Sequence, residues 1–234
     1  MKIGGLQKVT LVDYPGKLAC TVFLSGCNFR CPFCYSKELV LPEEIKSQPE
    51  ISEDDFLNFL EEKRGLLEGC VICGGEPTVS GPELIELIKK IKKKNFLVKI
   101  DTNGTSPELL KRLFEENLVD YVAMDIKAPL NVEKYSLATG VEKADIEKIK
   151  ESVSLLKNSN VDYEFRSTIV PSIHSREDII QMAKDISPAK KYFLQQFRGQ
   201  KGTISDLRDI PYADEFMKEV GEEIKGYFDV FKIR

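Results

Sequence analysis

No stretch of the 234 residues is apolar for long enough to serve as a signal peptide or to cross a bilayer, and the chain opens on Met1 and the charged Lys2. A cytoplasmic setting with reduced thiols is therefore expected, which argues against a disulfide framework. Charge of one sign is lacking too. With 34 basic and 38 acidic residues the formal net charge is −4, without the concentrated basic face that nucleic acid requires. Neither nucleic acid nor a membrane is expected as a partner. The basic cluster Lys89 to Lys94 falls in the last turns of an expected helix, where cations complement the dipole. Histidine is nearly absent: His174 is the only one, and its place just before a helix cap reads as an exposed loop residue. Cysteine is sparse, with six in all and none after Cys73.

Three of those six stand within eight residues, in Cys27-Asn28-Phe29-Arg30-Cys31-Pro32-Phe33-Cys34. Three thiolates at this spacing can ligate three irons of a cubane cluster and leave the fourth iron open to a small molecule. A structural zinc site would need a fourth Cys or His to close its tetrahedron. Cys20 and Cys70 sit in apolar runs, where a free cysteine behaves as a small hydrophobe, and His174 is remote. Cys70 and Cys73 have the spacing of half a zinc or redox site. The run around them alternates as a strand does, however, and Gly74-Gly75 ends it. Cys73 stays open between a core position and another role.

Short apolar strands alternate with amphipathic helices along the chain. Strands are expected at Cys20 to Leu24, Cys70 to Cys73, Leu97 to Asp101, Tyr121 to Ile126, Tyr163 to Val170 and Tyr192 to Gln196. Helix starts are marked by Ser52 with Asp55, by Ser106 before Pro107, and by Ser175 with Asp178. Leu84, Leu87, Ile88 and Ile91 form one buried stripe, and Ile146, Ile149, Val153 and Leu156 a second. The pattern predicts an α/β fold, a closed or partly closed barrel of parallel strands with helices outside. One domain over residues 1–234 is expected, with an extension at about 1–17 and a tail or edge strand at about 227–234. Sites on such sheets gather at the carboxyl ends of the strands, where the cysteine loop, Gly74-Gly75-Glu76-Pro77, Asp101-Thr102-Asn103-Gly104, Asp125 and Lys127 all fall.

Cys-x-x-x-Cys-x-x-Cys followed on the next strand by Gly-Gly-Glu-Pro resembles the radical S-adenosylmethionine superfamily. With Asp13-Tyr14-Pro15-Gly16-Lys17, the Asp101 to Gly104 run and Met124-Asp125-Ile126-Lys127, the chain resembles the glycyl-radical-enzyme activases over nearly its whole length. It is most similar to the anaerobic ribonucleoside-triphosphate reductase activating proteins, with pyruvate formate-lyase activating enzymes next. The resemblance implies a partial (β/α)6 TIM-like barrel. It implies that Cys27, Cys31 and Cys34 hold a 4Fe-4S cluster whose open iron binds S-adenosylmethionine, reductively cleaved to a 5'-deoxyadenosyl radical. No side chain is expected to act as an acid or base. Tyr35 is expected near the adenine, Gly74, Gly75 and Glu76 near the methionine amino group, and Lys127 at its carboxylate. Asp101, Thr102, Asn103 and Asp125 are expected around the ribose and sulfonium, with a monovalent cation as a further occupant beside the two aspartates. Arg166, a charge inside an apolar strand, needs a partner, expected to be an anionic ligand group. The implied partners are a glycyl-radical enzyme, anaerobic ribonucleotide reductase first, and a reductant such as flavodoxin or ferredoxin. No cysteine lies between residues 35 and 69, so the ferredoxin-like insert of some activases is missing. Leu194-Gln195-Gln196-Phe197 stands where pyruvate formate-lyase activases tend to carry a histidine. The competing expectations are a pyruvate formate-lyase-type activase, a radical enzyme acting on a small molecule, and a non-catalytic iron-sulfur or zinc module.

Overall fold

The computed structural model describes residues 1–199 and 202–234. Eight strands form one sheet in sequence order: β1 (Ile3–Thr10), β2 (Ala19–Leu24), β3 (Gly69–Gly74), β4 (Leu97–Thr102), β5 (Tyr121–Asp125), β6 (Asp162–Ile169), β7 (Ala189–Gln196) and β8 (Phe228–Ile233). β1 runs antiparallel to β2, and every later pairing is parallel. Parallel neighbours need crossovers. These are supplied by α1 (Lys37–Val40), α2 (Pro42–Ser47), α3 (Glu53–Glu62), α4 (Pro82–Lys93), α5 (Pro107–Glu115), α6 (Val132–Thr139), α7 (Ile146–Asn158), α8 (Arg176–Ile186) and α9 (Asp214–Ile224). Among the described residues no helix is long and apolar enough to cross a membrane.

β2 to β7 are the six parallel strands that the sequence predicts. The sheet goes further at both ends. Residues 1–17 contain β1, whose Gly4, Gly5, Gln7 and Lys8 obscure a strand signal, and the tail is the edge strand β8, seated on Ala189 to Leu194 of β7. Sequence order places β1 and β8 at opposite edges of the sheet.

Side chains of a strand point alternately to its two faces, and here the faces have different fates. Cys20, Val22, Cys70, Ile72, Val98, Ile100, Val122, Met124, Phe165 and Leu194 join the large apolar core. From the helices, Leu84, Leu87, Ile88 and Ile91 of α4 and Ile146, Ile149, Val153 and Leu156 of α7 are buried in it, as their spacing predicts. The opposite face carries Lys99, Asp101, Asp125, Glu164 and Arg166. At its lower end, where the strands start, Tyr14, Ala19, Val71 and Tyr121 make a small separate apolar cluster. Lys89, Lys90, Lys92 and Lys94 reach Glu116, Glu53, Asp120 and Glu61 on neighbouring elements, so the basic cluster is a paired, solvated helix end.

Candidate functional site

The loop after β2 is built from backbone and guanidinium bonds. The Gly26 N–H donates to the Leu39 carbonyl at 2.7 Å, the Arg30 N–H to Thr139 at 2.8 Å, and the Cys34 N–H to Cys31 at 3.0 Å. Arg30 Nη1 donates to the carbonyls of Cys27 and Phe29, each at 2.7 Å. On the far side, Ile204 and Ser205 donate to the Cys34 and Pro32 carbonyls at 3.0 and 3.1 Å. Asn28 ties the loop to the end of β4: its Oδ1 accepts from Asn103 at 2.9 Å and its Nδ2 donates to Thr105 at 2.8 Å. Asn28, Arg30 and Thr105 are site-building residues that sequence reasoning missed.

This loop lines one cavity with the ends of β3 to β6. About 810 Å³ of space, part of it open to solvent, is walled by Cys27, Cys31, Cys34, Tyr35, Gly74, Gly75, Glu76, Asp101, Thr102, Asn103, Asp125, Lys127 and Arg166. Every residue singled out as a candidate therefore meets in one place. Phe29, Phe33 and Cys73 complete the wall.

Gly74 and Gly75 have a reason internal to the chain. Gly74 adopts φ +131°, and a Cβ there would lie 2.1 Å from the Leu24 carbonyl oxygen, while one on Gly75 would lie 2.1 Å from that of Gly26. Only glycine lets the exit of β3 press against the exit of β2. The Gly75 and Glu76 N–H groups donate across that contact at 2.9 and 2.7 Å. The 2% exposed Glu76 carboxylate then clamps β3 to β4. Its Oε1 accepts from the Thr78 N–H and from the Thr78 and Thr102 hydroxyls, and its Oε2 accepts from the Asn103 N–H at 2.6 Å. Burial pushes its carboxyl up from the ordinary value, against the pull of those donors.

Across the floor runs a chain of alternating charges. Lys99 pairs with Asp101; Arg166 bridges Asp101 Oδ2 at 3.0 Å and Asp125 Oδ1 at 2.9 Å; Lys127 closes on Asp125 Oδ2 at 3.0 Å. Within the chain the partners of Arg166 are thus two carboxylates, where sequence led to the expectation of an anionic ligand group, and the side chain also lines the cavity. Burial alone would raise Asp125, but Arg166 and Lys127 outweigh it and hold the carboxyl at about 2. Asp101 is lowered in the same way, with Arg166 and Lys99 overcoming burial. Lys127 ends this chain on the side of the thiols, with the Glu76 carboxylate in the same cavity.

Burial pushes the Cys27 thiol up to about 11 and Cys31 to about 12, and raises Cys34, while Lys127 opposes in each case. Thiolate ligation there must release protons. Among the described residues no three or more His, Cys, Asp or Glu side chains are grouped as ligands of a single ion. The three thiols line the wall of one cavity, and as thiolates they are a soft donor set of the kind that holds iron-sulfur centres. Cys20 and Cys70 are fully buried in the core, as expected. Cys73 proves to be a wall residue near Asp101 and Arg166, its thiol raised to about 12 by burial and by Asp101.

Tyr35 is 39% exposed at the rim. Its ring stacks on Phe197, centroids 5.7 Å apart, and its hydroxyl accepts from the Arg198 N–H at 2.9 Å. It divides the cavity from a second one lined by Thr168, Gln195, Gln196, Phe197, Arg198, Pro211 and Arg234. His174 overturns its sequence reading, since it is fully buried rather than exposed. Val170 and Lys127 bond its two ring nitrogens, and burial lowers its basicity.

The sequence profile of the Radical SAM superfamily matches residues 21–186. A provisionally named glycyl-radical enzyme activating enzyme of Methanocaldococcus jannaschii is 34% identical over 234 residues, covering 99% of this chain and 95% of that protein. The pyruvate formate-lyase-activating enzyme of Clostridium pasteurianum is 28% identical over 79% of this chain and 76% of its own length. The anaerobic ribonucleoside-triphosphate reductase-activating protein of Escherichia coli is 31% identical over 36% of this chain and 55% of its own. Among solved structures, Streptococcus suis SuiB shares the fold with a TM-score of 0.68 at 14% identity, over 92% of this chain. The chain spans about half of SuiB, 49% of its length.

Proposed function

Because the chain belongs to the radical SAM superfamily, we propose that it is a glycyl-radical-enzyme activase. The family implies a 4Fe-4S cluster and S-adenosylmethionine; once bound, they supply the electron and the 5'-deoxyadenosyl radical that removes a hydrogen atom from a glycine α-carbon. The observation that carries the activase reading is the alignment with the Methanocaldococcus protein, which runs through both chains almost end to end.

The chain's own part is to bind, orient and exclude water. Cys27, Cys31 and Cys34 would hold three irons as thiolates, and the nearby Lys127 ammonium would offset part of their charge. Phe29 and Phe33, both buried, keep solvent from that corner and so keep its electrostatics strong. Lys127 would meet the methionine carboxylate as a compact cation. Glu76 and the Gly74-Gly75 backbone line the amino end, with the second lone pair of Glu76 Oε2 left for a donor. Asp101, Thr102, Asn103 and Asp125 would take the ribose and sulfonium side, with Arg166 holding the two aspartates ionised, and Tyr35 would flank the adenine. The second cavity, which Tyr35 shares with Arg234 beside the edge strand β8, offers a lateral route for a protein segment.

For the partner, we favour an anaerobic ribonucleotide reductase, supported by Leu194-Gln195-Gln196-Phe197 at the end of β7 in place of a histidine-containing run. A pyruvate formate-lyase-type partner is the second reading, favoured by the longer alignment with the Clostridium enzyme. Flavodoxin or ferredoxin in the cytoplasm is the proposed electron source. Anaerobically reconstituted chain, reduced and mixed with each class of glycyl-radical enzyme, is expected to yield methionine, 5'-deoxyadenosine and a glycyl doublet by electron paramagnetic resonance with the reductase. A doublet with pyruvate formate-lyase alone would transfer the assignment. Nucleoside cleavage without a doublet on any partner would point to a small-molecule substrate.

A monovalent cation beside Asp101 and Asp125 would have to share those carboxylates with Arg166. A guanidinium resident in that place gives a melting temperature indifferent to exchange of K+ for Na+. That indifference is the expected result; a selective rise with one ion would show that a cation enters beside Arg166.

A further inference from the structure

His174 is the only histidine of the chain, and the reaction proposed above has no use for it as an acid or base. We propose that His174 is a positioning residue for Lys127, fixing the backbone from which the Lys127 ammonium enters the cavity. The ring Nδ1 accepts the Val170 N–H at 3.0 Å. The proton of the neutral ring therefore sits on Nε2, which donates to the Lys127 carbonyl at 2.8 Å. An imidazolium has no lone pair for Val170, and an Nδ1–H ring would set two donors against each other. Only one of the three forms of the ring makes both bonds.

Those bonds act on Lys127 together with a third. The Lys127 N–H donates to the Tyr135 hydroxyl at 3.4 Å. The N–H belongs to the peptide plane before the Lys127 Cα and the carbonyl to the plane after it. Holding both planes fixes the direction of the Cα–Cβ bond, and so where the side chain starts. The ring also meets Phe33 of the cysteine loop edge-on, centroids 6.4 Å apart and planes at 66°, and Lys127 Nζ stands 6.0 Å from the same Phe33 ring. His174 is anchored in turn by its own N–H to the Val170 carbonyl at 2.8 Å and by the Tyr212 hydroxyl donating to its carbonyl at 2.8 Å. One imidazole thus sets the segment just after β6, the Lys127 backbone and the cysteine loop against each other.

The kinetic consequence rests on the S-adenosylmethionine reading, in which Lys127 meets the methionine carboxylate; the bonding pattern does not. Two variants separate the bonds. In His174→Gln the amide nitrogen reaches the Nε2 position and still donates to Lys127, with nothing at Nδ1. In His174→Asn the carbonyl oxygen replaces Nδ1 and accepts from Val170, and the donor to Lys127 is lost. In cluster-loaded protein, His174→Asn is expected to raise KM for S-adenosylmethionine roughly tenfold and His174→Gln by less than about threefold, with kcat changed less than about twofold in both. Equal KM values in the two variants, or a KM that simply follows lost iron or lowered melting temperature, would overturn the assignment. A 15N-histidine NMR spectrum of the unloaded wild-type chain, with a single imidazole to observe, is expected to show Nε2 protonated and Nδ1 bare. An Nδ1–H ring or an imidazolium at pH 7 would also overturn it. A wild-type chain that is folded and iron-loaded yet never cleaves S-adenosylmethionine would strike the proposed function instead, leaving the NMR result to stand by itself.

Discussion

Cys31→Ala is expected to leave the chain folded and to abolish both retention of a four-iron centre and cleavage of S-adenosylmethionine, with activity falling below detection. Cys31 is the most enclosed of the three loop thiols, at 7% exposure, and its neighbours are held by bonds that do not involve its sulfur: Arg30 to the Cys27 and Phe29 carbonyls, and Ile204 to the Cys34 carbonyl. Removing one sulfur therefore costs a ligand without unravelling the loop. The control is Cys70→Ala. Cys70 is fully buried in the apolar core, and its loss should cost about 1 to 2 kcal/mol in urea unfolding, as for a small apolar group, with iron content unchanged. Iron assay, absorbance and the yield of 5'-deoxyadenosine read out both variants. Iron retained by Cys31→Ala, or lost from Cys70→Ala, would mean that the ligand set is wrong.

The contrast between these cysteines was legible in the sequence because chemistry and spacing are local properties. Cys27, Cys31 and Cys34 announce themselves within one loop, Cys70 sits in an apolar alternation, and the stripes on α4 and α7 follow a short period. What stayed hidden depends on contacts far apart in the chain. Lys99 and Glu164 look like solvent-facing positions of half-buried strands. Only curvature of the sheet turns that face inward, and the partners that make the charges tolerable lie elsewhere, as Arg166 and Asp101 do, 65 residues apart. His174 was misread for the same reason. The cap at Ser175 is a strong local signal of a helix start near the surface, whereas the Lys127 carbonyl that buries the ring is 47 residues away. In β1, paired glycines and polar residues erase the alternation, although its ladder to β2 forms. The double glycine at 74–75 was found, but the reason that demands it, contact with the exit of β2, exists only once the two strands are side by side.

Arg166→Met is expected to destabilise the folded chain by about 3 to 5 kcal/mol at pH 7, the usual cost of removing one partner from a buried ion pair. Arg166 is 14% exposed, Asp101 12% and Asp125 27%. Without the guanidinium, the two carboxylates face each other across a poorly solvated floor, with only Lys99 and Lys127 to hold them. A hydrophobic side chain of similar reach fills the volume but not the charge. The penalty should depend on pH in a defined direction. In the wild-type chain Asp125 titrates at about 2, below its ordinary 3.8. A carboxyl depressed in the folded state gives stability that is fully present above the unfolded pKa and is lost as pH falls through the folded one. For Asp125 that contribution is on the order of 2 kcal/mol, present above about pH 4 and gone by about pH 2. The variant has less of it to lose, so the gap between wild type and Arg166→Met should narrow as the pH drops from 4 toward 2. Arg166→Lys should recover part of the stability but not all, because an ammonium cannot address both carboxylates with a planar fork. Urea unfolding of the three chains at pH 7 and pH 3 checks this. A gap that is constant with pH would mean that Arg166 contributes packing rather than charge, and that Asp101 and Asp125 are held ionised by Lys99 and Lys127 alone.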